Sequence, residues 1–167
     1  MSIIYTTYES PLGTLTLYAT ASDLVGLTFP TQSVNFQEPV VIDKTISSPI
    51  LQQTIQWLDQ YFVGQVPTMM IPLAPQGTTF QQKVWSQLQH IPYGTSLTYG
   101  ELSQRVFNSP IPKGAQAIGS AVGANPISLI IPCHRVLGKG NALTGYTGGL
   151  SIKRALLSIE NISFVNK

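Results

Sequence analysis

Thirteen residues near the middle of the chain, QVPTMMIPLAPQG at 65–77, hold three prolines and a glycine. Proline has no backbone N–H and restricts the residue before it, so neither a long helix nor an inner strand can run through such a segment. The chain is therefore expected to fold as two parts, 1–75 and 76–167, with this segment as the linker. The first part reads as a β-sheet followed by a helix. Residues 3–8, 13–19 and 24–29 are rich in β-branched and aromatic side chains, and SPLG (10–13) and ASD (21–23) separate them as hairpin turns. Ser48-Pro49 then opens a helix, serine as the cap and proline at the first helical position. Leu51, Ile55, Leu58 and Phe62 follow at helical spacing, and Gly64 stops the run.

The second part is mostly helical. Thr78 and Gln81 form a capping box ahead of Phe80, Val84, Trp85 and Leu88, and Pro92-Tyr93-Gly94 ends that helix. Thr98 and Glu101 form another before Leu102 and Val106. FNSPIPK (107–113) reads as a turn, and a further helix is expected over about 113–124, stopped by Asn125-Pro126. Residues 129–131 read as a short buried strand or extended piece, 138–149 as a glycine-rich loop, and 151–160 as a last helix with Ile152, Leu156 and Ile159 inward. The fold class is accordingly α+β, an α/β chain in two parts, and helices 98–106 and 113–124 suggest a helix-turn-helix.

Charge divides the chain at the same place. Residues 1–75 hold one base, Lys44, against five acids; residues 76–167 hold eight bases against two acids. The back half thus carries a positive field suited to a polyanion, with a solvated surface asymmetry as the plainer reading. No apolar run reaches the ~18 residues of a membrane span. The segment MSIIYTTYESPLG has none of the features of a signal peptide, so a soluble, cytoplasmic protein without a membrane partner is expected. One cysteine and two histidines, His90 and His134, exclude an internal disulfide and a Cys/His metal site.

Two features of the back half carry chemistry. Eight of the twelve residues KGAQAIGSAVGA (113–124) are Gly, Ala or Ser. Each interior glycine costs a helix about 1 kcal/mol relative to alanine. Either tight packing on a neighbouring helix or close approach to a narrow groove in nucleic acid offsets that cost. The other feature is LIIPCHRVLGKG (129–140), which holds the only cysteine, Cys133, beside His134 and Arg135. A lone cysteine is a small buried hydrophobe or, where a base or cation favours its thiolate, a nucleophile. His134 is adjacent, but neighbours in extended chain point to opposite faces, so adjacency alone makes no pair. Glu160, in an otherwise apolar helix, is placed either to orient an imidazole or as a helix-end charge. Tyr99, just inside a capped helix start, is a second buried-polar candidate, with a partly buried packing residue as the plainer reading.

IPCHRV (131–136), Asn125-Pro126 upstream of it, GYTGGL (145–150) and FQQKVWSQLQHIPYGTSLTYGELS (80–103) together closely resemble the O6-alkylguanine–DNA alkyltransferases, also called methylated-DNA–protein-cysteine methyltransferases. The resemblance runs over about 78–161; the front third matches only in strand pattern and length. It implies a small RNase H-like N-terminal domain and a C-terminal domain with a winged-helix-like helix-turn-helix. It also implies direct repair: minor-groove binding to double-stranded DNA, flipping of the damaged guanine, and irreversible transfer of the alkyl group from O6-alkylguanine, and from O4-alkylthymine, to Cys133. No cofactor or metal is implied, and the protein acts as a monomer consumed in the reaction. By resemblance Glu160 orients His134, which deprotonates Cys133 through a water, and Tyr99 donates to the departing guanine. Asn125 ties the recognition helix to the cysteine segment. Gly114, Ala115, Gln116, Ala117 and Gly119 face the DNA, with Arg135 as a structural or DNA-side charge. Tyr146 and Thr147 close over the alkylated base near the backbone of Cys133 and Val136.

Gln116 departs from the family pattern, in which most recognition helices carry an arginine that enters the base stack. Glutamine is shorter and uncharged, so weaker flipping or weaker DNA binding is expected. Two other readings compete: a non-catalytic lesion sensor, in which the nucleophile is commonly tryptophan, and a general cysteine hydrolase. The intact Cys133 argues against the first, and the basic half and small-residue helix against the second.

Overall fold

The computed structural model describes residues Ser2–Asn166. The chain divides into two compact units, Met1–Gln76 and Gly77–Lys167.

In the first unit, β1 (Ile3–Ser10), β2 (Gly13–Ala19) and β3 (Leu24–Thr28) form an antiparallel meander. A turn whose Ser10 hydroxyl donates to the Gly13 carbonyl at 2.7 Å sets the β1–β2 register, which runs from Ile4 opposite Ala19 to Ser10 opposite Gly13. Gly13 sits at φ +107°, where a side chain is strained. A fourth strand that periodicity does not reveal, β4 (Val40–Ile42), pairs in parallel with β1 at the sheet edge, giving the order β3-β2-β1-β4. Its three residues are exposed, so no buried face marks it in the sequence.

Helix α1 (Pro49–Phe62) starts where expected, the Ser48 hydroxyl accepting from the Leu51 N–H at 3.2 Å. Its inward side chains Leu51, Leu58 and Tyr61 are wholly buried, as are Leu15, Leu17 and Ala19 on alternate positions of β2. Helical and strand periodicities thus meet in one core. The proline segment is less free than a linker. The Leu24 N–H donates to the Pro72 carbonyl at 2.8 Å and the Ala74 N–H to the Leu24 carbonyl at 2.9 Å, so part of the segment lies along β3.

In the second unit, α2 (Thr79–Gln89) and α3 (Tyr99–Phe107) both begin with the expected capping boxes, Thr78 with Gln81 and Thr98 with Glu101. Asn108, at φ +49°, ends α3, and α4 (Ala115–Gly123) follows the proline-containing turn. These three helices pack through Val84, Trp85, Leu88, Leu102, Val106 and Ile118, all 0–1% exposed. The buried Trp85 indole donates to the Ala121 carbonyl at 2.8 Å, which fixes α4 on α2.

Residues 129–131 form a turn rather than a strand. The Ile131 N–H donates to the Ile127 carbonyl at 3.0 Å, and Leu129 takes a left-handed φ of +74°. The apolar run is buried by curling into the core, not by pairing. The strand lies a few residues later: β6 (Val136–Leu137) pairs in parallel with β5 (Leu97–Thr98), Leu97 opposite Val136. The last helix, α5 (Leu150–Ile159), presents Lys153, Leu156 and Leu157 inward, with Glu160 buried just beyond it; Ile152 and Ile159 are only half-buried. Among the described residues, no helix is long and apolar enough to cross a membrane.

Candidate active site

The two-residue β5–β6 pair builds the site. Strand β5 runs directly into Tyr99 at the start of α3, and β6 directly follows a 3-10 turn, Cys133–Arg135. Pairing Leu97 with Val136 therefore sets the thiol turn beside the first turn of α3. Cys133 is 3% exposed and forms part of the wall of a cavity of about 370 Å³, with Tyr99, Gly119, Val122, Gly123 and Tyr146 among the other lining residues.

The thiol segment is held from both sides. The Asn125 amide donates to the Ile131 carbonyl at 2.8 Å, and its oxygen accepts from the Ile127 N–H at 3.0 Å. Asn125 thus clips the end of α4 to the turn leading into Cys133. Burial pushes the Cys133 thiol above its ordinary pKa, and hydrogen bonds from Asn125 and Tyr146 and the charge of Lys153 oppose this. The resting group is a thiol, and a base is needed to ionise it.

His134 supplies that base's geometry. Its ring is wholly buried, and Nε2 lies 2.6 Å from Glu160 Oε2. Burial works against the charge on Glu160, but the hydrogen bonds and charges of His134 and Arg135 outweigh it and pull the carboxyl down to about 2. Burial pushes His134 below its ordinary pKa, although the Glu160 contact raises it. An ionised carboxylate beside a neutral imidazole requires Nε2 to donate, which leaves Nδ1 as the acceptor. Among the described residues Nδ1 is buried without a hydrogen-bond partner, so the imidazole does not bond the thiol directly. A 3-10 turn, like an extended chain, points successive side chains in different directions.

Arg135, expected on the DNA side or as a structural charge, is turned inward. It is 7% exposed; Nε donates to Glu160 Oε1 at 2.7 Å and a terminal nitrogen donates to the Ile91 carbonyl at 2.7 Å. Its guanidinium lies 5.7 Å from the centre of the Tyr93 ring. The Gly94 N–H also donates to Glu160 Oε1 at 3.1 Å, so the turn that ends α2 binds the carboxylate as well. A single buried carboxylate here holds one imidazole, one guanidinium and one amide.

Burial pushes the Tyr99 hydroxyl above its ordinary pKa and the nearby thiol adds to this, so it is a donor at neutral pH. Tyr146 is half-buried and Thr147 exposed, both on the cavity wall. The Val136 side chain is wholly buried, so a contact in the cavity falls to its backbone alone. Gly114, Ala115, Gln116 and Ala117 are exposed at the start of α4, and Gly119 borders the cavity.

The glycines of α4 divide by cause. Gly114 caps the helix at φ +64°, and a Cβ there would lie 2.8 Å from the Phe107 ring. A Cβ on Gly119 would meet nothing within 4 Å, and one on Gly123 only the Thr147 methyl at 3.6 Å. Internal packing therefore explains Gly114 but not Gly119 or Gly123. Sequence reasoning missed Lys153, which is 0% exposed; its signal is the spacing Lys153, Leu156, Leu157, Glu160, one helical stripe bounded by charges. Among the described residues, no group of three His, Cys, Asp or Glu is placed to hold a metal ion.

Residues 79–162 match the family model for the 6-O-methylguanine DNA methyltransferase DNA-binding domain, and residues 3–75 the one for its ribonuclease-like domain. The methylated-DNA–protein-cysteine methyltransferase of Haemophilus influenzae is 41% identical over 99% of this chain and 90% of its own length. The constitutive enzyme of that name from Bacillus subtilis is 42% identical over 98% of each chain. The crystal structure of Mycobacterium tuberculosis OGT in complex with DNA superposes with a TM-score of 0.83 at 38% identity, covering 94% of this chain and 92% of that one. With both halves matched and near-full-length relatives at this identity, the chain belongs to the 6-O-methylguanine DNA methyltransferase family.

Proposed function

We propose that the protein repairs double-stranded DNA by taking the alkyl group of O6-alkylguanine, and of O4-alkylthymine, onto Cys133. The observation that carries this reading is the position of the thiol: Cys133 lies on a cavity bordered by the small-residue face of α4, with the His134–Glu160 pair behind it. A base stacked inside a duplex has no path to a buried sulfur, so the lesion is flipped into the cavity. His134 Nδ1 takes the thiol proton through a water, and the sulfur attacks the alkyl carbon. The S–C bond forms as the C–O6 bond breaks. The departing guanine accepts a hydrogen bond and then a proton from Tyr99, which His134 replenishes, so one proton passes in net from thiol to base. The thioether is permanent and each molecule acts once, without a cofactor.

The exposed start of α4 supports minor-groove contact, because the minor groove is only about 6 Å wide and admits small side chains closely. The open space over Gly119 fits such a partner. To test the transfer, the native protein is incubated with O6-benzylguanine or a methylated duplex and its intact mass is measured. One adduct per chain, mapped to Cys133, is expected. No adduct with lesion binding retained leaves the sensor reading, which Gln116 favours.

Gln116 is exposed on the first turn of α4, where an arginine adds charge next to the phosphates. Gln116→Arg is expected to tighten duplex binding by about three- to tenfold and to steepen the dependence of log affinity on log salt by about one. The single-turnover rate on methylated duplex should rise with it. Affinity and rate both unchanged would mean that this position does not limit the protein.

A further inference from the structure

The buried charges around Cys133 do not cancel while the cysteine is a thiol. Glu160 is an anion, Arg135 and Lys153 are cations, and His134 is neutral. Arg135 and Glu160 neutralise each other at 2.7 Å, which leaves Lys153 as the excess charge. Lys153 stands on α5, two helical turns before Glu160, and is 0% exposed. Among the described residues its ammonium has one hydrogen-bond acceptor for three N–H groups, the Val136 carbonyl at 2.6 Å. Val136 is bound in turn to the cysteine turn, its N–H donating to the Cys133 carbonyl. A buried ammonium with so few partners is costly unless an anion faces it.

We propose that Lys153 is the positioning residue for the nucleophile: anchored to the Val136 carbonyl, its buried ammonium is the counter-ion of the Cys133 thiolate. With the thiolate formed, the cluster is electrically balanced. Burial pulls Lys153 down to about 8 and the cysteine charge opposes that fall, the same coupling that opposes the rise of the thiol. The other titratable groups around the pair are His134 from the 3-10 turn, Tyr99 and Tyr146, and next to His134 lie Glu160 beyond α5 and Arg135, with Tyr93 against these last two. None of these tyrosines or the neutral imidazole supplies a cation, and Arg135 is already spent on Glu160. The biological use of this device rests on the transfer proposed above, but the ionisation itself does not.

The test measures thiol ionisation without DNA. The rate of Cys133 alkylation by iodoacetamide is followed by intact mass across pH in the native protein and in Lys153→Met, with folding checked by circular dichroism. The apparent pKa of the thiol should rise by about one unit in the variant, a roughly tenfold slower reaction near neutral pH. The reciprocal measurement follows the Lys153 side chain by NMR in the native protein and in Cys133→Ala, where its pKa should fall by a similar amount. An unshifted profile in a folded Lys153→Met, or an unshifted lysine in Cys133→Ala, overturns the proposal; should the methionine variant not fold, the lysine titration decides alone. The two readings fail separately: shifted profiles with no uptake from O6-benzylguanine would sink the transfer, and normal uptake with unshifted profiles would sink the counter-ion.

Discussion

Cys133→Ser is expected to lose alkyl transfer by about four orders of magnitude while keeping its fold and its affinity for duplex DNA. Loss of ionisation outweighs the gain in nucleophilicity. An ordinary thiol ionises near 8.5 and a hydroxyl near the ~15.7 of water, so the reactive anion becomes rarer by roughly seven powers of ten. The more basic anion is intrinsically more nucleophilic, and a Brønsted slope of about 0.4–0.5 returns roughly three of those powers. The hydroxyl is smaller and also hydrogen-bonds, so Asn125 keeps its bonds to Ile131 and Ile127, which do not involve the thiol. Single-turnover transfer from labelled duplex, a thermal melt and a binding titration check the three parts. A serine variant that still collects an alkyl group would place the acceptor elsewhere, and with no other cysteine that acceptor is not a thiol.

The second large effect is expected at Glu160. Its two oxygens hold His134 at 2.6 Å, Arg135 at 2.7 Å and the Gly94 amide at 3.1 Å, and it is 2% exposed. In Glu160→Gln the guanidinium stays buried without its anion, a loss of roughly 3–5 kcal/mol for breaking such a pair. That is a large part of the 5–15 kcal/mol that typically separates folded from unfolded domains. The sign with pH follows from the depressed carboxyl. Folded Glu160 titrates near about 2 against an ordinary 4.5, so its contribution is complete above 4.5 and is lost as pH falls through the interval down to about 2. That gap is worth roughly 3 kcal/mol. Urea unfolding at pH 7 and pH 3 should therefore show a wide difference for the native protein and a narrow one for Glu160→Gln. Transfer in the variant should fall by about 10²-fold, the lower range for losing general-base assistance, because His134 loses the contact that raises its basicity and fixes its tautomer. Equal stability and rate in the two proteins would remove Glu160 from the relay.

Several elements were readable because their causes are local. The caps at Ser48, Thr78 and Thr98 each bond a backbone N–H three residues on, so the sequence spacing is the structural spacing. The strands of the β1–β2–β3 meander are equally plain, since short turns and runs of β-branched and aromatic residues lie within the same few residues, and burial alternates along β2. Strand β4 was not, because its exposed residues join the sheet only by pairing with β1 from far along the chain. The apolar run 129–131 reads as a strand or extended piece yet forms a turn for a related reason: it satisfies burial equally well by curling, and tertiary packing chose the left-handed Leu129.

The site divides in the same way. Residue types and spacing alone established two parts, a basic back half, a helix of small residues and one thiol beside an imidazole, and the PCHR block tied these to a family. What they left open was the direction in which each charge points. Arg135 and Lys153 have the composition of surface cations, yet one is sealed against Glu160 and the other lies wholly buried against the Val136 carbonyl. A long flexible side chain carries no local signal for burial; the partner that compensates its desolvation decides, and those partners sit 25 and 17 residues away in sequence. The order of residues specified the chemistry available to this protein, while the parallel pairing of Leu97 with Val136 and the docking of α5 determined which groups the thiol meets.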